Sequence, residues 1–332
     1  MNDLEWCRSM LPRVSRTFAL GIQMLPEPFE PWVTVGYLLC RVVDTVEDTE
    51  DIDWPTRRRL FTAFEDALAN GNCAGFETDA HVFADDADGE LSRGLARIIR
   101  PMMTFPEPIQ AAMRKWIGEM SGGMALYARR HALGGPRTTL HDMADLERYC
   151  YFVAGTVGHL LTDFFLVGAP KTQANAARLR AHAEGFGLLL QMTNIVKDVT
   201  DDWPRGWCFI PETICAAEGT SSDHIIDPAH SMAGIRSVDR VNTHARRFYA
   251  EAVSYIVAIP PTEQALRRFC LFPMLLAGKT LDLALSNPAV VDTETKVKVG
   301  RTVVAETAVQ VEALLMDDMA IAALTVMEPA EA

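Results

Sequence analysis

The chain has 332 residues, 49% of them hydrophobic, with 31 Lys and Arg against 44 Asp and Glu for a formal charge of −13. That is ample apolar material for a large buried core. The acidic balance excludes nucleic acid as a partner, because phosphate backbones attract the opposite sign. Any anionic phosphate bound here must be met by local arginines and bridging cations.

The N-terminal Met1-Asn2-Asp3-Leu4-Glu5-Trp6 lacks a basic stretch followed by an apolar one, so no signal peptide is expected. Residues 32–43 form an apolar helical run that ends on Asp44-Thr45-Val46-Glu47-Asp48. Residues 57–69 carry Leu60, Phe61, Phe64, Ala67 and Leu68 at helical spacing. A polar, acidic break over 70–89 follows, then helical rhythms over 91–103 and 109–130. Gly134-Gly135-Pro136 reads as a turn, and helices are predicted over 142–167 and 175–199. After a loop over 219–228 come helices over 238–259, 263–285 and 295–323, punctuated by Pro260-Pro261 and Asn287-Pro288. No alternating strand pattern and no domain linker is evident. The prediction is an all-α, single-domain bundle over residues 1–332, its core about 8–325. Apolar runs are cut by Arg41, Asp198 or Lys279 short of the roughly 20 residues a membrane span needs.

The seven cysteines (Cys7, Cys40, Cys73, Cys150, Cys208, Cys215, Cys270) have no metal-ligand spacing, and several lie in apolar runs. There a free cysteine acts as a small hydrophobe, which predicts a reducing, cytoplasmic setting, at most peripheral to a membrane.

Two acidic helix ends carry the chemistry. Residues three and four apart share a helix face, so Asp44, Glu47 and Asp48 are expected to point one way, as are Asp198, Asp201 and Asp202. Carboxylates so placed repel one another and oppose the helix dipole. A local rule broken twice in the same manner implies a missing cation. Hard oxygen ligands suit Mg²⁺, which takes one or two carboxylates and leaves room for substrate phosphates. Gly155, Gly158, Gly185 and Gly187 lie inside helical patterns, where each costs up to about 1 kcal/mol relative to Ala. They serve either close helix packing or open space for a long apolar ligand.

Five segments, in order, resemble the squalene/phytoene synthase family of head-to-head prenyl transferases. They are Ser15-Arg16-Thr17-Phe18, residues 41–48, Gly123-Met124-Ala125, residues 149–158 and residues 191–198. The resemblance implies one α-helical isoprenoid-synthase domain whose acidic motifs face each other across a central cavity. It implies that Asp44, Asp48, Asp198 and Asp202 hold Mg²⁺ at diphosphate oxygens. Arg16, Thr17, Arg41 and Arg205 would bind the diphosphates, with Gln191 and Asn194 donating hydrogen bonds. By the same resemblance Tyr149 assists proton removal or cation handling, and Phe269 lines the product-forming pocket. The implied substrate is farnesyl diphosphate or geranylgeranyl diphosphate, with peripheral membrane contact for product release.

The wording of residues 44–48, together with Tyr37, is closer to squalene synthases than to phytoene synthases. Lys296 and Lys298 are similar to the basic segment that contacts NADPH in the reducing members. Departures are Lys197 where an arginine is usual, a point charge for a bidentate fork, and the unusual continuation over 201–207. A non-reducing synthase making dehydrosqualene, presqualene diphosphate or phytoene is the alternative.

Overall fold

A computed structural model describes residues 1–15, 17–50, 52–134 and 137–325. Helices follow one another almost without interruption. They are α1 (Asp3–Val14), α2 (Thr17–Gln23), α3 (Phe29–Asp48), α4 (Trp54–Asn70), α5 (Ala74–Asp79), α6 (Ala87–Arg93), α7 (Leu95–Met102) and α8 (Glu107–Leu133). The two-residue strand β1 (Thr138–Thr139) precedes α9 (Met143–Cys150), a π-helical turn (Tyr151–Gly155), α10 (Thr156–Gly168), α11 (Ala176–Lys197) and α12 (Val199–Asp202). Strand β2 (Trp207–Cys208) leads to α13 (Glu212–Glu218), α14 (Ser231–Ala258), α15 (Gln264–Ala284), α16 (Arg301–Leu314) and α17 (Asp318–Ala323). The all-α reading holds. The β1–β2 pair, parallel and two residues long, is its one exception among the described residues.

The described chain groups into two compact units. The first comprises Met1–Leu133 with His159–Gln173, the second Gly134–Gly158 with Ala174–Ala332. In the first unit α3 is the hub, packed by α1, α2, α4, α6, α7 and α8. It buries Trp32, Val35, Leu38, Leu39, Val42 and Val46. Its acidic C-terminus survives because Arg57 of α4, itself buried, caps the last turn. The Arg57 guanidinium donates to the carbonyls of Val46 (3.2 Å), Glu47 and Thr49 (2.6 Å). Those are the acceptors a helix end leaves without partners. The same guanidinium offsets the dipole that the carboxylates oppose.

In the second unit α11 is central, lying against α14, α15 and the π-helical turn. Phe186 of α11 stacks on Tyr255 of α14 at 5.5 Å. The four glycines belong to this packing. A Cβ on Gly158 would lie 2.1 Å from the Ala183 carbonyl oxygen, and one on Gly187 2.2 Å from that of Ala154. At Gly185 it would meet Glu251 Cβ at 2.7 Å, and at Gly155 the Tyr151 ring at 2.9 Å. Open space for an apolar ligand is therefore not their role; neighbouring helices fill it.

Three predicted boundaries move. The break over 70–89 holds α5, a 3₁₀ turn and the start of α6, whose N-cap Asp86 accepts from Gly89 N. The helix over 142–167 contains the π-helical turn. The helix over 295–323 splits. Asp292 accepts from Glu294 N and Thr295 Oγ1, holding a turn that delays α16 until Arg301. Asp317 then caps a separate α17. The helical stretch Met143–Gly168 matches the predicted helix in length but departs from the expectation that no apolar run reaches the length of a membrane span. It is apolar and long enough to cross a membrane by length and composition, and half of its most apolar window is buried in the protein.

Candidate active site

Tyr37, Arg41, Asp44 and Asp48 stand one or nearly one turn apart along α3 and so share a side of it. Arg41 reaches across to α6, donating from Nε and Nη2 to the two carboxylate oxygens of Asp88 at 2.8 and 2.9 Å. Its Nη1 lies 4.0 Å from Asp44 Oδ2. Asp88 was not among the predicted residues. It falls in the acidic stretch 85–90 that read only as a break, and that acidity was the available signal.

Glu47 departs from expectation: it is buried at 5% exposure and turns inward, away from the Asp44–Asp48 side. Asp44 is recessed, with 31% of its side chain accessible. Desolvation pushes its pKa from 3.8 up to about 7; Arg41 works against this, while Asp48 and Asp88 add to it. Because the folded-state value is raised, the stabilising contribution is fully present below pH 3.8 and is lost as pH rises through about 7. In chelator, Asp44→Asn should therefore gain Tm over the wild type increasingly across that window, levelling off above it. Thermal scans at several pH values test this; a flat difference would mean that Asp44 ionises freely.

Tyr37 is held by a hydrogen bond with Ser15, and burial raises its pKa. The Phe18 ring lies 6.0 Å from the Tyr37 ring. Ser15 also accepts from Phe18 N, capping α2. Arg16 lies outside the described residues. Thr17 opens α2, and its side chain is likewise outside the description.

The second acidic end is built differently. Helix α11 stops at Lys197, Asp198 caps it, and Asp202 N returns to the Asp198 carbonyl at 3.0 Å in the short α12. Here each carboxylate has a basic partner in the chain. Lys197 bonds Asp198, Lys296 bonds Asp201, and Arg205 Nη1 sits 3.5 Å from Asp202. The repulsion anticipated from sequence is thus relieved locally. Gln191 and Asn194 lie two turns and one turn before Asp198 on α11, half-buried and exposed respectively. Lys298 is exposed beyond the buried Val297.

Tyr149 is buried at 4% exposure and packs in an aromatic stack that sequence reading missed. Its ring lies 4.7 Å from Phe209, which in turn stacks on Trp207 at 5.2 Å. Asp202, Trp207 and Phe209 line one tight crevice. Phe269 is half-buried on α15.

No group of three or more His, Cys, Asp or Glu side chains converges as a complete metal cage among the described residues. A cation that retains waters and shares its shell with phosphates needs only one or two carboxylates, and the all-oxygen pair Asp44 and Asp48 fits that demand.

The family model described as squalene/phytoene synthase matches residues 11–302. A squalene synthase of Eremothecium gossypii is 29% identical over 306 residues, covering 90% of this chain and 66% of that protein. A probable squalene synthase of Neurospora crassa is 28% identical over 301 residues, covering 89% of this chain and 59% of that protein. The chain thus spans under two thirds of the length of these curated relatives. The solved structure of TcSQS with a ligand superposes with a TM-score of 0.80 at 25% identity, over 99% of this chain and 93% of that one.

Proposed function

We propose, because this chain belongs to the squalene/phytoene synthase family, that it carries out the squalene-synthase reaction. Two farnesyl diphosphates would be joined head to head into presqualene diphosphate with release of one pyrophosphate, and release of the second with rearrangement and uptake of a hydride would give squalene, Mg²⁺ and NADPH being the cation and the hydride source this reaction calls for. We read residues 1–332 as one family domain in a cytoplasmic setting, touching a membrane only for product release. The free, buried cysteines support that setting.

The observation that carries the reading is the end of α3. A recessed carboxylate, Asp44, is kept beside Asp48 and Arg41 at a cost in desolvation that a bound cation would offset. Asp44 and Asp48 on one motif, and Asp198 and Asp202 on the other, would hold the Mg²⁺ ions. When bound, Mg²⁺ neutralises charge on the departing diphosphate. Arg41 and Arg205 add guanidinium donors at the phosphates, as Arg16 and Thr17 do by resemblance. Gln191 and Asn194 donate hydrogen bonds that orient the same group. Tyr149, its ring fixed by Phe209, offers a phenol for proton removal or cation handling during cyclopropane closure. The apolar surroundings, Phe269 among them, keep water from the allylic cation.

When bound, NADPH supplies the hydride. Tyr37, Lys296 and Lys298 are the residues we assign to it. Lys296→Ala with Lys298→Ala should lower squalene formation roughly 10-fold or more and divert flux to unreduced products, each lost phosphate contact being worth about 1–2 kcal/mol. Unchanged NADPH dependence would remove that assignment. One observation favours the non-reducing alternative: Lys296 already bonds Asp201 and must leave it to reach a cofactor.

Product analysis decides between them. Purified protein is incubated with Mg²⁺ and farnesyl or geranylgeranyl diphosphate, with and without NADPH, and products are identified by mass spectrometry. Squalene only with NADPH supports the main reading. Dehydrosqualene or phytoene regardless of NADPH selects the alternative, and no product from either substrate would sink both.

A further inference from the structure

The segment that follows Asp202 is held by a residue outside all five family-like motifs. Arg137, only 12% exposed at its side chain, lies over Trp203 with its guanidinium carbon 3.7 Å from the ring centroid. From the same place its Nη1 donates to the Trp203 carbonyl at 2.6 Å, and its Nε to Asp223 Oδ1 at 3.2 Å. The indole is fixed at its other end, donating from Nε1 to the Ser222 carbonyl at 3.0 Å. Immediately after Arg137, Thr138 N donates to the Gly206 carbonyl at 2.8 Å, and the β1–β2 pair begins. Gly206 has φ +81°, the left-handed conformation that turns the chain from the 3₁₀ segment into β2.

Asp202 and Arg205 therefore bracket Trp203 on a short turn whose backbone is bonded at Trp203 and Gly206 to residues 137 and 138. A four-residue α12 and a three-residue 3₁₀ turn have too few internal hydrogen bonds to fix side-chain directions by themselves. The external clamp supplies that fixity. A planar guanidinium suits it because one face stacks on the indole while two edges donate; an ammonium can do one of these at a time.

We propose that Arg137 is a positioning residue for the second acidic motif, fixing through Trp203 the carboxylate of Asp202 and the guanidinium of Arg205 for a Mg²⁺–diphosphate ligand. This rests on the diphosphate reading of that motif. The removal of the clamp leaves the ligating groups in place and loosens them, and a misplacement of about 1 Å is enough to cost on the order of 100-fold in rate.

The test is calorimetric titration of the full chain with inorganic pyrophosphate in Mg²⁺, beside steady-state kinetics and thermal unfolding. Arg137→Met should weaken pyrophosphate binding roughly 10-fold and lower kcat more than it raises KM, with far-UV circular dichroism unchanged. Arg137→Lys should recover part of the loss. Trp203→Leu combined with Arg137→Met should weaken binding no further than either alone, since both break one clamp. Wild-type pyrophosphate affinity in Arg137→Met, with Asp202→Asn defective, overturns the positioning role alone. Wild-type affinity in Asp202→Asn as well overturns the diphosphate reading beneath it. Should Arg137→Met fail to fold, Arg137→Lys and Asp223→Asn decide. At native Tm, a fall of about 3-fold or more in pyrophosphate affinity supports the role, and unchanged affinity in both defeats it.

Discussion

Asp48→Asn should lower kcat about 1000-fold while leaving the helical circular-dichroism spectrum and Tm at or above those of the wild type. The substitution keeps the shape of the side chain and removes only its charge. Asp48 is exposed at the last turn of α3, so no core contact is lost. Its charge is one of the influences that raise the pKa of Asp44, so its removal eases the folded state. A group that weakens the apoprotein and is indispensable for turnover is what a cation ligand at a departing diphosphate requires. Losing one preorganised partner of developing charge costs about 100- to 1000-fold in comparable sites. Asp202→Asn should act in the same direction and also release Arg205, which sits 3.5 Å from it. Turnover is measured as pyrophosphate release from farnesyl diphosphate at saturating Mg²⁺. Wild-type turnover in Asp48→Asn at native Tm would mean that the acidic end of α3 is only solvated surface.

The long helices, and the places where charge interrupts them, were legible because helical periodicity and acidic run-outs are local properties of the chain. Apolar spacing over 57–69 foretold α4 closely, and the family-like motifs led to membership that the match over residues 11–302 bears out. Partners from distant sequence were not legible. Nothing local ties Arg57 to the carbonyls ending α3, Asp88 to Arg41, or Lys296 to Asp201, yet these contacts set the electrostatics of both acidic ends. The inward turn of Glu47 was missed because a three-residue spacing defines a face only to within about 60°, and Glu47 falls on the buried side of that margin. Arg137 carries no motif at all, and its importance exists only once residues 203–206 lie beside it.

The glycines allow the most direct test of packing against open space. Gly187→Ala should destabilise the protein by at least about 3 kcal/mol, at the upper end of overpacking penalties, and lower the yield of soluble chain. Alanine is the better helix former by up to about 1 kcal/mol, so propensity alone predicts the opposite sign. Geometry decides, because the new methyl would lie 2.2 Å from the Ala154 carbonyl oxygen and 2.8 Å from Gly155 N. Those are backbone atoms of the π-helical turn, which cannot swing aside as a flexible side-chain end would. Relief requires α11 to move off that turn, and with it Gly158 from its own contact on Ala183. Gly122→Ala is the control. Its position on α8 has nothing within 4 Å of a Cβ, so it should gain stability by up to about 1 kcal/mol. Thermal unfolding of the two variants, opposite in sign, establishes that helix contact and not helix propensity retains glycine at 187. Equal stability of Gly187→Ala and wild type would return the position to the ligand, and a loss confined to long-chain diphosphate binding would then be its signature.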